Sequence, residues 1–355
     1  MNKEQKKLMI DNCGNLKNAW YAVALSSELP KSQLLSKSIM EYPLVLWRNN
    51  QGMVQVLSDR CMHRNAPLSK GKLAANCVVC PYHGWVFNGE GHCVEIPSEG
   101  PNTDRIPKHK IESFPCKEES GLIWVWMGRE VPVNTPPFYL PRFEGKGWQH
   151  YFMVTDFEQG ITDLVENFMD VPHTVFVHKG WFRERSQICI KANVKRTSDS
   201  VLVTYEQGKD AISFSSKILN PKGLPMKHTD NFYMPNTTRV DYVFGEMERA
   251  FIITSTCTPI TPELSRVYTL ITYRFGRLNA LAKLFLPWYT KKVIMQDVKI
   301  MKMQADNIKK FGQKDFRSTK VDAMHLYIES LREHAEKASE EPIPPVISKE
   351  IEFWV

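Results

Sequence analysis

Four residues in two short clusters are typed and spaced for metal chemistry. They are Cys61-x-His63 and, after 16 intervening residues, Cys80-x-x-His83. Each pair fits on one tight loop, so two loops facing each other would gather two thiolates and two imidazoles. Pro67 and Pro81 stiffen these loops, while Gly71 and Gly84 let the backbone come close to a bound group. Cys77-x-x-Cys80 also has metal-pair spacing, which makes a structural zinc ribbon the competing assignment. The single residue between Cys61 and His63 suits a ribbon poorly.

A second group lies in DLVENFMDVPHTVFVH, Asp163 to His178. Asn167, Asp170 and His173 are three apart, so a helix puts them on one face, and His178 follows five residues later. Two imidazoles and one carboxylate hold iron(II) with a coordination face left open. The carboxylate is sought downstream, where Val293, Asp297, Ile300, Gln304 and Ile308 recur at helical intervals. Asp297 falls within that apolar stripe, where a carboxylate is costly unless paired or metal-bound. Asp230 and Asp306 are the other downstream acids.

Cys61-x-His63 with Cys80-Pro-Tyr-His-Gly-Trp resembles the Rieske [2Fe–2S] motif. Asn167-x-x-Asp170-x-x-His173-x4-His178 resembles the mononuclear-iron motif of the Rieske non-haem iron oxygenases. The resemblance runs from about Trp20 to about Gln304. It implies Cys61, His63, Cys80 and His83 as cluster ligands, and His173, His178 and Asp297 as iron ligands. It implies that Asp170 links His173 to a cluster histidine, His83, of a neighbouring subunit, and that Asn167 lies near the iron without binding it firmly. It further implies a terminal oxygenase of the single-subunit O-demethylase and monooxygenase branch, assembled as a homotrimer. Electrons from NAD(P)H would arrive through a separate reductase or ferredoxin, since no dinucleotide-binding G-x-G-x-x-G and no second cluster motif occur. Hydroxylation or oxidative demethylation of an aromatic, alkaloid-like or sterol-like molecule is the expected reaction. A Rieske electron carrier or redox sensor is the alternative, and it has no need of His173, His178 and Asp170.

The elements that must position these residues fit an α+β chain of two domains. Residues 1–140 read as an antiparallel-β Rieske domain, with strand-like runs at Trp20–Leu25, Tyr42–Trp47, Met53–Leu57 and Gly121–Met127. A proline-containing linker follows from Val131 to Pro141. Residues 141–355 read as a helix-grip catalytic domain, as the resemblance also implies. Its strands lie at Val201–Tyr205, Arg249–Cys257 and Arg266–Phe275, around a helix from about Asn279 to Phe311. A second helix spans roughly Val321 to Lys337, and the aromatic tail packs either on the body or on a neighbour.

The composition, 43% hydrophobic and 24% charged, is that of a globular protein. No apolar run approaches the roughly 20 residues a membrane helix needs, and the first residues lack a signal-peptide core, so a cytoplasmic location is expected. The net charge of +7 comes without a dense basic block, which argues against nucleic-acid binding. Eight scattered cysteines are expected as free thiols outside the metal site.

Overall fold

Short β-branched and aromatic runs broken by glycine turns dictate the first part of the chain, and long alternating runs the second. A computed structural model of the chain describes all residues except 1–6, 101–105, 109, 130–133, 182–186, 207–219, 221 and 338–344. The chain divides into two compact units, Met1–Tyr139 and Leu140–Val355. The expected linker falls at this division, with residues 131–133 outside the described set.

In the first unit, a single helical turn α1 (Met9–Asn12) precedes ten short strands. They are β1 (Trp20–Leu25), β2 (Leu35–Ile39), β3 (Tyr42–Arg48), β4 (Val54–Ser58), β5 (Lys72–Ala74), β6 (Cys77–Val79), β7 (Val86–Phe87), β8 (Cys93–Glu95), β9 (Cys116–Glu119) and β10 (Leu122–Trp126). These form three antiparallel sheets, β1-β10-β9, β2-β3-β4 and β5-β6-β7-β8. Trp47, Leu57, Leu68, Val78 and Phe87 make a core that also takes in Cys61 and Cys80. Each fully buried side chain of this kind stabilises by about 1.5–3 kcal/mol. Trp47 also donates its indole N–H to the Asn76 carbonyl, which ties β3 to the β5–β6 turn.

The second unit is one eight-stranded antiparallel sheet with helices on it. Its strands are β11 (Gln149–Phe157), β12 (Cys189–Arg196), β13 (Ser200–Tyr205), β14 (Met226–Tyr233), β15 (Thr237–Phe244), β16 (Arg249–Thr261), β17 (Leu264–Arg274) and β18 (Ile347–Trp354). Their spatial order is β11-β17-β16-β15-β14-β13-β12-β18. The aromatic tail therefore packs on its own chain: β18 pairs with β12, placing Ile351 and Phe353 opposite Ala192 and Ile190. The β16–β17 hairpin turns at Pro262 and Glu263, because β16 stays paired through Thr261.

Among the described residues, four helices belong to this unit: α2 (Ile161–Met169), α3 (Thr174–Val177), α4 (Asn279–Phe311) and α5 (Ala323–Glu336). Ile161, Leu164, Val165 and Met169 of α2 pack with Met324, Ile328 and Leu331 of α5 over the β12–β13 end of the sheet. The long helix α4 ends where Gly312 adopts a left-handed φ of 73° and donates its N–H to the Ile308 carbonyl. Its buried side carries Leu286, Tyr289, Thr290, Asp297, Met301 and Ala305. Ile300 and Gln304, expected on that stripe, are exposed instead. The actual face steps through 290, 297, 301 and 305, the rows that meet the sheet and α2–α3. Among the described residues, no helix is long and apolar enough to cross a membrane.

Candidate metal centres

The two cluster loops repeat one backbone design. In the first, the Cys61 N–H donates to the Ala66 carbonyl and the Asn65 N–H to the Cys61 carbonyl. In the second, the Cys80 N–H donates to Trp85 and the Gly84 N–H to Cys80. The fourth residue after each cysteine carries the left-handed turn, with φ of 60° at Asn65 and 74° at Gly84. That explains the residue types there, since glycine and asparagine tolerate this conformation best. Gly71 is required for space rather than for φ. A Cβ there would lie 2.0 Å from the Val79 carbonyl oxygen, so only glycine lets the loop close on β6. Asp59, which carries no motif signal, pins the same loop by accepting from the N–H and hydroxyl of Ser69.

This frame buries Cys61 and Cys80 at 1% and 4% exposure while His83 stays exposed. The His63 and His83 rings lie 4.6 Å apart, and His63 stacks on Trp85. Burial, with Cys80 beside it, pushes the Cys61 thiol up to about 11. The His63 Nδ1 is buried without a hydrogen-bond partner. An orphaned imidazole nitrogen and two buried thiols on the paired loops fit a metal-cluster ligand set, because a cluster would satisfy all of them. Cys77 stands in β6, opposite Ala74, as a half-buried free thiol.

In the second unit the expected helix breaks. Helix α2 stops at Met169, Asp170 is its extended C-terminal cap, and His173 and His178 flank the single turn α3. Asn167, Asp170 and His173 therefore do not share one helix face. Pro172 accounts for the break, since it disfavours helical backbone at the residue before it. The two histidines converge because α3 spans the gap between them in one turn.

Asp297, 5% exposed, meets them from α4. Its Oδ1 lies 3.5 Å from His173 Nε2 and 3.2 Å from His178 Nε2, and the two Nε2 atoms are 3.4 Å apart. A circle through these three atoms has a radius of about 1.9 Å, so an ion slightly off their plane sits about 2.1 Å from each, an ordinary metal–ligand distance. The donor set fits a divalent metal with one face open. Without one, burial works against charge on His173, but Asp170 and Asp297 outweigh it and hold the imidazole up to about 9. Burial likewise opposes charge on Asp297, yet the two histidines pull it down to about 2.

The surrounding residues orient the triad. Gln296, which carries no motif signal either, accepts from His178 Nδ1 at 2.9 Å and so turns Nε2 toward the other triad atoms. Asp170 Oδ2 lies 3.5 Å from His173 Nδ1, an ionic contact longer than a good hydrogen bond. Asn167 donates to Asp297 Oδ1 over 3.4 Å. Of the other candidate acids, Asp306 pairs with Lys302 at the surface, and Asp230 binds Tyr205 and His228. The triad opens into a cavity of about 120 Å³ between α4 and the sheet.

Two family models match the chain: the Rieske [2Fe-2S] domain over residues 19–115, and the vanillate O-demethylase oxygenase C-terminal domain over residues 161–338. The chain is 38% identical over 168 residues to a chloroplastic chlorophyllide a oxygenase of Chlamydomonas reinhardtii, covering 47% of this chain and 25% of that protein. It is 31% identical over 205 residues to a 4beta-methylsterol monooxygenase of Methylococcus capsulatus, covering 57% and 54%. The chain thus spans between a quarter and about half the length of these curated relatives. Its fold matches dicamba monooxygenase bound to dicamba with a TM-score of 0.77, at 22% identity over 91% of this chain and 98% of the other.

Proposed function

The chain belongs to the Rieske non-haem iron oxygenases, and from that premise we propose that it is a terminal oxygenase component that hydroxylates or oxidatively demethylates an organic molecule. The carrying observation is the His173–His178–Asp297 triad, set in the wall of a cavity between α4 and the sheet. A bare electron carrier has no use for it. Chlorophyllide, a methylsterol and dicamba appear in the names of its relatives and structural neighbours, and all are ring compounds, which supports a cyclic substrate.

In this reading residues 1–140 carry the cluster on Cys61, His63, Cys80 and His83, and residues 141–355 carry the iron on His173, His178 and Asp297. When bound, the two groups supply single-electron transfer and activation of O2. The chain's own residues do the rest. Gln296 fixes the tautomer and orientation of His178, Asp170 faces His173 Nδ1 as an ionic partner, Asn167 steadies Asp297, and the aliphatic and aromatic walls keep water from the reacting carbon. Exposed His83 would hold the cluster at the surface of one subunit, and Asp170, its side chain 26% exposed, would be the carboxylate that links it through hydrogen bonds to His173 of the next. A head-to-tail relation of that kind forms a ring where its rotation closes, and the family resemblance implies a homotrimer. NAD(P)H serves it through a separate reductase or ferredoxin, in the cytoplasm.

Metal and acid-labile sulfide analysis of anaerobically purified protein tests the core of this. About three irons and two sulfides per chain are expected, falling to about two irons with sulfide unchanged in His173→Ala. About two irons in both proteins, with no uptake of added iron(II), leaves the electron carrier and removes the oxygenase.

A further inference from the structure

The long helix α4 carries a different outer face in each of its halves. In the first half Leu281, Leu284, Trp288 and Met295 are between 48% and 81% exposed. With 3.6 residues per turn these four fall within about 60° of one another, opposite the buried Ala282, Leu286 and Tyr289. They form an apolar stripe about 21 Å long, at 1.5 Å per residue, where a surface helix ordinarily shows polar side chains. Trp288 does not swing free in it. Its ring lies 5.6 Å from that of Trp181 and 5.8 Å from that of Phe285.

The charges around the stripe have one sign. From Asn279 to Met295 the charged residues are Lys283, Lys291 and Lys292, with no Asp or Glu among them. Lys291 and Lys292 lie on either side of the stripe, and both are exposed. Among the described residues none of these three lysines forms an ion pair. The second half of α4 differs. There Lys302 reaches Glu158 at 2.6 Å and Asp306 at 3.3 Å, and Lys309 reaches Glu263 at 2.6 Å. Its outer charges are therefore answered within the chain, while those of the first half are left for something outside.

Leucine, methionine and tryptophan on one stripe with lysines beside it is the pattern that settles at a lipid interface. The apolar tips enter the boundary between headgroups and acyl chains, and the lysine stems carry their ammonium groups up to the phosphates. A protein partner suits the face less well. The four side chains supply roughly half of the about 800 Å² per partner that a specific contact buries, and the cores of such contacts are depleted in lysine. We propose that the outer face of α4 from Leu281 to Met295 docks the protein on an anionic lipid surface. The docking stands whether or not the triad works as an oxygenase.

Sedimentation of the holoenzyme with vesicles tests it, using phosphatidylcholine alone and phosphatidylcholine mixed with phosphatidylglycerol. The protein should bind the mixed vesicles, leave those of phosphatidylcholine free, and be released by added salt. Lys291→Gln/Lys292→Gln should weaken binding about 30-fold, since each lysine near an anionic surface contributes a factor of about 5. Leu284→Ser/Trp288→Ser should weaken it at least about 10-fold. Lys302→Gln/Lys309→Gln removes the same charge from the other half of the helix and should change little. Melting temperature and the visible spectrum show which variants are folded, and the exposed lysine pairs keep the test decisive if the apolar variant is not.

A holoenzyme that ignores the mixed vesicles overturns the proposal. So does an equal loss in the two lysine variants, which would trace the attraction to net charge rather than to this face. Sedimentation velocity gives the third check. If Leu284→Ser/Trp288→Ser breaks an oligomer that the unsubstituted protein forms, a second copy covers the stripe and the lipid assignment falls.

Discussion

The two candidate metal centres are built on opposite plans. The candidate cluster ligands come from 23 consecutive positions, Cys61 to His83, on two loops that repeat the same turn around a short hairpin. The triad joins His173 and His178 to Asp297, 119 positions beyond the second histidine, and depends on how α4 is rotated against the sheet. The first centre is therefore a property of local backbone geometry, and the second a property of packing. A local centre should resist damage to the rest of the fold, while a packed one should feel any change in the side chains that aim its ligands.

The sharpest way to break this contrast is at Gln296. Gln296→Leu keeps the size of the side chain but leaves His178 Nδ1 without its acceptor. We expect 10- to 100-fold weaker iron(II) binding at the triad, read by metal titration, with the visible spectrum of the cluster unchanged. A spectrum that changes alongside would show the two centres to be coupled in stability.

A smaller effect belongs to Glu166, on α2 beside Asp163 and away from the triad. Burial, then the charges of Asp163 and Glu329, push its carboxyl up to about 8 against the opposing pull of Lys314 and Arg332. The folded chain therefore holds a proton there that the unfolded chain releases near pH 4.5. Stability falls as pH rises from that value through about 8, and then levels. Glu166→Gln should leave the melting temperature unchanged near pH 4 and raise it by a few degrees at pH 8 to 9. The gain should appear in the unit that holds the triad. An equal gain at both pH values would remove the titration as its cause.

The smallest effect tests the loops. Asn65 and Gly84 hold equivalent left-handed positions, so Asn65→Gly should change stability by less than about 0.5 kcal/mol, allowing for the lost bond from Arg60. Asn65→Val should cost about 1–2 kcal/mol in a denaturant titration and loosen the cluster. If glycine and valine are tolerated alike, the loops do not share the strain that their hydrogen bonds imply.

How much of this was legible follows from the same contrast. The strands around Cys61–His83 and the extent of α4 could be read from residue types and periodicity, and the two histidines of the triad from their motif, while Asp297 rested on the family resemblance. The helix over Asp163–His178 was read wrongly, because three-residue spacing is also satisfied by a helix end, a proline break and one further turn. The stripe on α4 was misplaced by one row, since Ile300 looks like core in sequence but faces solvent. Gln296 and the hydroxyl row that Thr238, Ser255 and Thr269 form across the cavity floor left no trace at all. A glutamine beside an aspartate is ordinary on any helix, and the three hydroxyl residues become neighbours through strand pairing.

By itself the sequence determined the chemistry available: two thiolates, four imidazoles and a carboxylate in an α+β chain. Their local spacing is a covalent fact, and short loops have few ways to fold around it. Tertiary structure decided which acid joins the histidines, which side chains aim them and what the cavity floor presents. Each of these depends on the rotation of a helix or the register of a strand, and a single step in either replaces every residue on the facing surface.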